Sequence, residues 1–465
     1  MSSIFCEVSK YLMIILFALY TLECFFVFRK KNTKERREAI FRRQNIWMLL
    51  LHLDGYLVLF DQTDNPTILL FYGVQVIFFL IVISTYKLLY ENAAQLLVNN
   101  MCMLMAIGFL ILTRLSFTKA AKQFTIAVGA MIFALGVPFM IKKIRFIRKM
   151  TWLYAVVGLL ALLIVAILGA VSYGAKISYT VAGISLQPSE FVKIIFVFFV
   201  AGMFHQSNSF RQVVITTVVA AAHVIVLVAS KDLGGALIFF VVYITMLYVA
   251  TGNPFYFIGG LLSGSVAAVI AYRLFSHVRV RVVAWQDPIS VIDNEGYQIC
   301  QSLFAIGTGG WFGLGLNQGS PGKIPVVEQD FVFSAIAEEL GGVFAICLIM
   351  VCMSCFLMFL NIAMQLKDSF YKLVALGLGI TYGFQVFLTV GGVIKFIPST
   401  GVTLPLVSYG GSSLLSTIII FAIIQGFYIL REGEGGQNGR KLTKKPQTVK
   451  KRKATGFDTK IEDLR

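Results

Sequence analysis

Phe396-Ile397-Pro398-Ser399-Thr400-Gly401-Val402-Thr403-Leu404-Pro405-Leu406-Val407-Ser408-Tyr409-Gly410-Gly411-Ser412-Ser413 lies between two long apolar stretches, yet Pro, Gly, Ser and Thr dominate it. Backbone at membrane depth must satisfy its own polar groups, so such a segment survives there only buried in protein or lining a wet cavity. A polar loop between spans is the plainer reading of a Gly/Pro cluster. The rest of the chain favours the first.

Hydrophobic residues make up 58% of the 465 residues and charged residues 14%, where a soluble domain carries about a quarter charged. The chain therefore reads as an all-α polytopic membrane protein. Apolar runs fall at roughly 10–28, 46–61, 66–87, 99–114, 123–141, 152–172, 190–206, 212–229, 233–250, 254–274, 332–360, 371–395 and 409–430. The first lacks a small-residue cleavage site and runs straight into Arg29-Lys30-Lys31, so it reads as a retained helix. The second is the weakest, because it carries His52 and Asp54.

The net charge of +17 does not point to nucleic acid, because Lys and Arg cluster beside helix ends, at 29–43, 142–149 and 431–465. That is the positive-inside pattern with anionic lipid contact. If all thirteen runs cross, the three blocks share the cytoplasmic side and the extreme N-terminus lies outside. Three polar segments, 173–189, 276–330 and 395–409, then face outward. The long 276–330 loop, with Trp285 and Trp311, exceeds the length of an idle connection. The Lys/Gly-rich tail reads as a disordered cytoplasmic tether. No cysteine or histidine spacing suggests a metal site.

Ionisable residues in or beside spans are costly and default to functional hypotheses. Glu190 and Lys193, three apart, share a helix face behind Gln187-Pro188-Ser189; Ser189 as an N-cap with a local ion pair is the plain alternative. Asp232 either caps the next helix or joins a site. Arg114, followed by Lys119, Lys122 and Gln123, either snorkels or binds an anion such as pyrophosphate. Asp330 opens a span where desolvation raises a carboxylate towards what a general base needs. All four sets map to one mouth of the bundle, with Ser408–Ser413. Carboxylates and cations so placed suit transfer from a phosphorylated donor.

Five motifs in order carry a resemblance: Gln187-Pro188-Ser189-Glu190 with Lys193; Asp232-Leu233-Gly234; Asp287-Pro288 with Gly296-Tyr297-Gln298 and Gln301-Ser302; Asp330-Phe331-Val332-Phe333 with Glu338-Glu339-Leu340-Gly341; and Gly401-Val402-Thr403-Leu404-Pro405 with Ser408 to Ser413. Their order and spacing resemble the SEDS family (shape, elongation, division and sporulation proteins). The resemblance covers roughly 99–430 as a ten-helix core, behind about three extra transmembrane helices in 1–98 and ahead of the tail 431–465. It implies a glycosyltransferase that polymerises lipid II into peptidoglycan outside the bacterial cytoplasmic membrane, beside a class B penicillin-binding protein. It further implies Asp330 as the catalytic group and Glu190 with Lys193 as a charged pair in the central cavity. Arg114, Lys122, Gln123, Asp232, Gln301, Ser408, Ser412 and Ser413 are expected to contact substrate. A divalent cation, Mg2+ or Mn2+, is expected, with Asp330 a candidate ligand. The chain has Glu328-Gln329 where the family has His-Thr, Ser230-Lys231 where it has Gln-Pro, and Thr389 in place of Asn. A lipid II flippase or other transporter is the rival reading, and an inactive scaffold a third. A transporter needs polar groups reachable from both faces, whereas these constellations map to one.

Overall fold

The computed structural model describes residues 2–29, 33–143, 148–172, 175–181 and 184–442. Parts of the 29–43, 142–149 and 431–465 basic blocks and of the 173–189 segment lie outside the described residues. The helices are α1 Ser2–Phe26, α2 Lys34–Thr63, α3 Pro66–Leu89, α4 Gln95–Leu115, α5 Phe117–Lys143, α6 Thr151–Leu168, α7 Ser189–Gln206, α8 Phe210–Ala229, α9 Leu233–Thr251, α10 Pro254–Leu274, α11 Ser276–Gln286, α12 Tyr297–Gly309, α13 Val332–Gln365, α14 Ser369–Val393 and α15 Gly411–Leu442. Twelve of these are long and apolar enough to cross a membrane; α2, α11 and α12 are not among them. The protein is an all-α, multi-pass membrane protein.

Four sequence expectations need correction. The 152–172 run stops at Leu168, where Gly169 ends the helix with extended backbone. The chain then forms a small antiparallel ribbon, β1 Ala170–Ser172, β2 Ala175–Val181 and β3 Ile184–Leu186, in the order β1-β2-β3. The 276–330 loop holds α11, α12 and a 3-10 turn at Pro321–Lys323; its helices are too short to span, so a length criterion passes over them. Ser189 is not an N-cap: Pro188 stands in that position already in helical backbone, and no side chain caps the helix. Finally, α15 continues through the first residues of the tail to Leu442, since propagation adds one backbone bond per residue once a helix exists.

At the centre of the bundle α4 is buried along nearly its whole length, between α2, α5 and α13. The second apolar run, 46–61, belongs to α2, which packs on α1, α3 and α4. Its least apolar residues, His52 and Asp54, point into protein, 0% and 8% exposed, and Asp54 accepts a hydrogen bond from the Ser9 hydroxyl of α1 at 2.6 Å. Burial against helices is how such polar groups are tolerated beside lipid.

The break in α13 shapes the end of the bundle that carries the candidate site. Gly341 lies at φ 87, ψ 169, outside what L side chains adopt and open to glycine. The break frees backbone groups that need partners, and the loop after α12 supplies them. Leu314 and Gly315 donate their amides to the carbonyls of Glu338 and Glu339 at 3.0 and 2.8 Å, while Gly342 and Val343 donate to Gly310 and Trp311 at 2.9 and 3.1 Å.

Candidate functional site

Between α14 and α15, residues 394–410 contain no helix or strand, the interruption that the composition predicts. Side chains from three helices hold it. Gln123 of α5 donates to the Ser408 carbonyl at 3.0 Å and accepts from the Gly410 amide at 3.2 Å. From α14, Thr389 donates to the Val402 carbonyl at 3.0 Å and Gln385 to the Thr403 carbonyl at 3.1 Å. From α15, the Ser413 hydroxyl accepts from Gln385 and Thr403 at 3.2 and 2.9 Å. Ser408 closes the segment on itself, its hydroxyl accepting from the Leu404 amide at 2.9 Å. Buried backbone polar groups thus find partners.

Against this segment lies a pocket lined by Gln187, Ser189, Glu190, Lys193, Asp232 and residues 401–403, among others, with an inner space of about 40 Å3. Lys193 is 4% exposed and bonds Glu190 at 2.5 Å and the Gln385 amide oxygen at 2.7 Å. Glu190 also accepts from Ser416 at 2.9 Å. The pair therefore reaches from α7 to α14 and α15. Asp232 caps α9 by accepting from the Gly235 amide at 2.8 Å and joins the site through Ser189, whose hydroxyl donates to it at 3.0 Å. Asp232 is thus both the cap of α9 and part of the pocket lining. Burial pushes its carboxyl above the ordinary carboxylate value, against its bonds to Gly235 and Ser189. Ser412 accepts from the Gln187 amide at 2.9 Å, holding the approach to α7.

Asp330 stands across Gly401 from this pocket. A Cβ placed on Gly401 would sit 3.5 Å from both an Asp330 carboxylate oxygen and the Arg281 guanidinium. Gly401 has φ +73, so it supplies both the backbone angle and the clearance. Burial raises the Asp330 carboxyl to about 6, with Arg281 opposing and Glu328 assisting. Arg281 of α11 is a site residue that the sequence does not signal. It donates to the Ser399 carbonyl at 3.0 Å, and the charges of Asp330 and Asp232 both act on it. Glu328, where the resembling family has His-Thr, pairs with Lys119, and its carbonyl accepts from the Tyr409 amide at 2.7 Å.

Other expected contacts are not brought together with these. Arg114 bonds Glu339 at 3.0 Å and the Gly319 carbonyl at 3.2 Å, so its charge braces the loop at the α13 break. Lys122 is exposed, Gln123 clamps backbone, and Gln301 is half-buried on α12; none lines the pocket. Among the described residues no three His, Cys, Asp or Glu side chains gather to hold a metal ion. Asp330 offers one carboxylate, already faced by Arg281. That donor set fits a hard cation only if phosphate oxygens of a ligand complete the shell, the usual way Mg2+ binds.

The sequence profile of the FtsW/RodA/SpoVE cell cycle proteins matches residues 93–429. The peptidoglycan glycosyltransferase RodA of Mycobacterium tuberculosis is 37% identical over 316 residues, 64% of this chain and 67% of its own. The probable peptidoglycan glycosyltransferase FtsW of Aliivibrio salmonicida is 32% identical over 354 residues, 71% of this chain and 86% of its own. Stage V sporulation protein E of Bacillus subtilis is 32% identical over 277 residues, 57% and 74% of the two chains. Among solved structures, a chain of a peptidoglycan synthase complex superposes with TM-score 0.62 at 24% identity, covering 72% of this chain and 97% of that one. The rod shape determining protein RodA of Thermus thermophilus gives 0.52 at 24% identity, covering 71% and 95%. With the profile spanning most of its length, the chain belongs to the FtsW/RodA/SpoVE family of cell cycle proteins.

Proposed function

We propose that this protein is an inverting peptidoglycan glycosyltransferase that polymerises lipid II on the outer face of the bacterial cytoplasmic membrane. One observation carries the chemistry: a carboxyl raised to about 6, beside a guanidinium and across one glycine from a buried Lys–Glu pair. Asp330 takes the proton from the acceptor sugar hydroxyl. The freed oxygen attacks the donor's anomeric carbon from the face opposite the pyrophosphate. The new glycosidic bond forms as the carbon–pyrophosphate bond breaks, and the leaving group departs as undecaprenyl pyrophosphate. Arg281, beside Asp330, and Lys193, in the pocket, would receive that charge. A divalent cation, if bound, would be held by Asp330 and the substrate's pyrophosphate and would supply further charge neutralisation. A class B penicillin-binding protein would crosslink the strands.

Reconstituting the purified protein with labelled lipid II and Mg2+ or Mn2+ tests this. Wild type should give a lysozyme-sensitive ladder that forms in the presence of penicillin, and Asp330→Asn should give none while staying folded. Polymer from Asp330→Asn would remove the proposed base. No ladder from wild type, even with penicillin-binding partners added, would favour the transporter reading.

A further inference from the structure

Residues 1–92 lie outside the stretch that matches the family, yet α1 touches the loop that leads to Asp330. Lys10 sits in the N-terminal half of an apolar helix and is 8% exposed; a charge so placed calls for a named partner. It bonds Glu7 at 2.9 Å and donates to the Gly313 carbonyl at 3.4 Å. One turn earlier, the Cys6 thiol donates to the Leu316 carbonyl at 3.5 Å. Tyr11 meets Phe312 with ring centroids 5.8 Å apart. Three side chains of α1 thus hold residues 312–316 from one side.

From the other side the break in α13 holds the same loop. Beyond the four backbone bonds at Gly341, the Asn317 amide donates to Glu339 at 3.1 Å and the Ser320 amide to Glu338 at 2.9 Å. The loop is therefore clamped between α1 and the first turns of α13, and Asp330 stands two residues ahead of those turns. α1 is itself held near this end, where Ser9 is bonded to Asp54 and Phe17 packs on Phe344 with centroids 4.4 Å apart.

We propose that Lys10 and Cys6 are positioning residues: α1 is a built-in brace that fixes the 310–320 loop and, through it, the placement of Asp330. This rests on the glycosyltransferase reading. A loosened loop would displace the base without removing any group that binds substrate. Misplacement of a reacting group lowers the rate of the bound complex, so kcat falls and KM holds.

The test uses the full-length protein carrying Lys10→Met, Lys10→Arg, or Lys10→Met with Gln318→Cys, the last placing a second thiol beside Cys6. Backbone hydrogen exchange over 310–320 and lipid II polymerisation are both measured. Lys10→Met should exchange about tenfold faster there, since exchange follows local opening. Its kcat should fall about ten- to a hundredfold at unchanged KM. Lys10→Arg should recover both, and so should the Gln318→Cys variant once oxidation joins its introduced thiol to Cys6. Unchanged exchange in Lys10→Met overturns the brace, and so does faster exchange with wild-type kcat. A fall in melting temperature that neither Lys10→Arg nor the disulfide repairs overturns it too, since Lys10 would then serve folding alone. Exchange is readable on protein that makes no polymer, so a silent wild type counts against the glycosyltransferase and unchanged exchange against the brace.

Discussion

At the scale of single residues, the raised Asp330 carboxyl links activity to pH and to stability. Acting as base it must be ionised, so kcat/KM should fall as pH drops through about 6. Stability runs the other way. A carboxyl raised on folding holds its proton more tightly folded than unfolded. Its contribution is present below the ordinary value of 3.8 and lost as pH rises through about 6. At neutral pH the ionised group therefore costs on the order of 2–3 kcal/mol, since each tenfold gain in proton affinity is worth about 1.4 kcal/mol. Asp330→Asn should lose polymerisation yet melt higher than wild type at about pH 7.5, above the Asp330 titration, by thermal unfolding in detergent. A lower melting point would show that Arg281 more than offsets the burial. Arg281→Gln removes the cation that opposes the rise, so the acid limb of the pH–rate profile should move upward, with activity at neutral pH down roughly a hundredfold. Asp330, Glu190 and Lys193 were legible because each is a charge at the edge of an apolar run. Arg281 was not. Val278-Arg279-Val280-Arg281-Val282 alternates with period two, the mark of a strand, and nothing in it signals the helix that aims Arg281 at Asp330.

Among the elements, the interrupted 394–410 segment shows how a sequence expectation becomes geometry. Its composition predicts a break, and the clamps, Gln123, Gln385 and Thr389, lie on helices where each reads as one more polar residue in a span. That is why Gln123 was expected at the substrate and is found on backbone. Both of its bonds go to this segment, so Gln123→Leu strands one buried carbonyl and one amide. At about 1–3 kcal/mol for each buried polar group left unpaired, the variant should melt several degrees lower and lose most of its polymerising activity. Gln123→Glu keeps the acceptor for the Gly410 amide and should fall between the two. Equal effects from both would assign the whole loss to the bond that both variants lack, the one to the Ser408 carbonyl. Helix positions were readable from apolar run length, whereas α11, α12 and the ribbon were not, since a run-length criterion sees only what spans.

For the whole molecule, the question is what docks the N-terminal helices onto the core, and the answer is polar. Asn100 of α4 accepts from Tyr20 and Cys24 of α1 at 2.9 and 3.2 Å and donates to Ser354 of α13 at 3.2 Å. Gln44 of α2 donates to Cys24 at 3.3 Å and accepts from Asn99 at 3.0 Å. Between helices in lipid, apolar contact gives little net drive, because the tails are as apolar as leucine. Packing and interhelical hydrogen bonds must set the register, and only a three-dimensional arrangement tells which of many polar residues in spans meet. The bonds themselves are weak, about 0.6 kcal/mol each on average between transmembrane helices. Asn100→Leu removes three and should therefore cost on the order of 2 kcal/mol, a shift of a few degrees with the fold intact. Its further consequence is directional: α1 freed at Asn100 should loosen the 310–320 loop at the far end of the same helix. Hydrogen exchange there should rise in Asn100→Leu as it does in Lys10→Met, and the double variant should exceed neither by much, because both act through α1. Additive effects would mean that the loop and the docking network are independent, and that α1 merely passes between them.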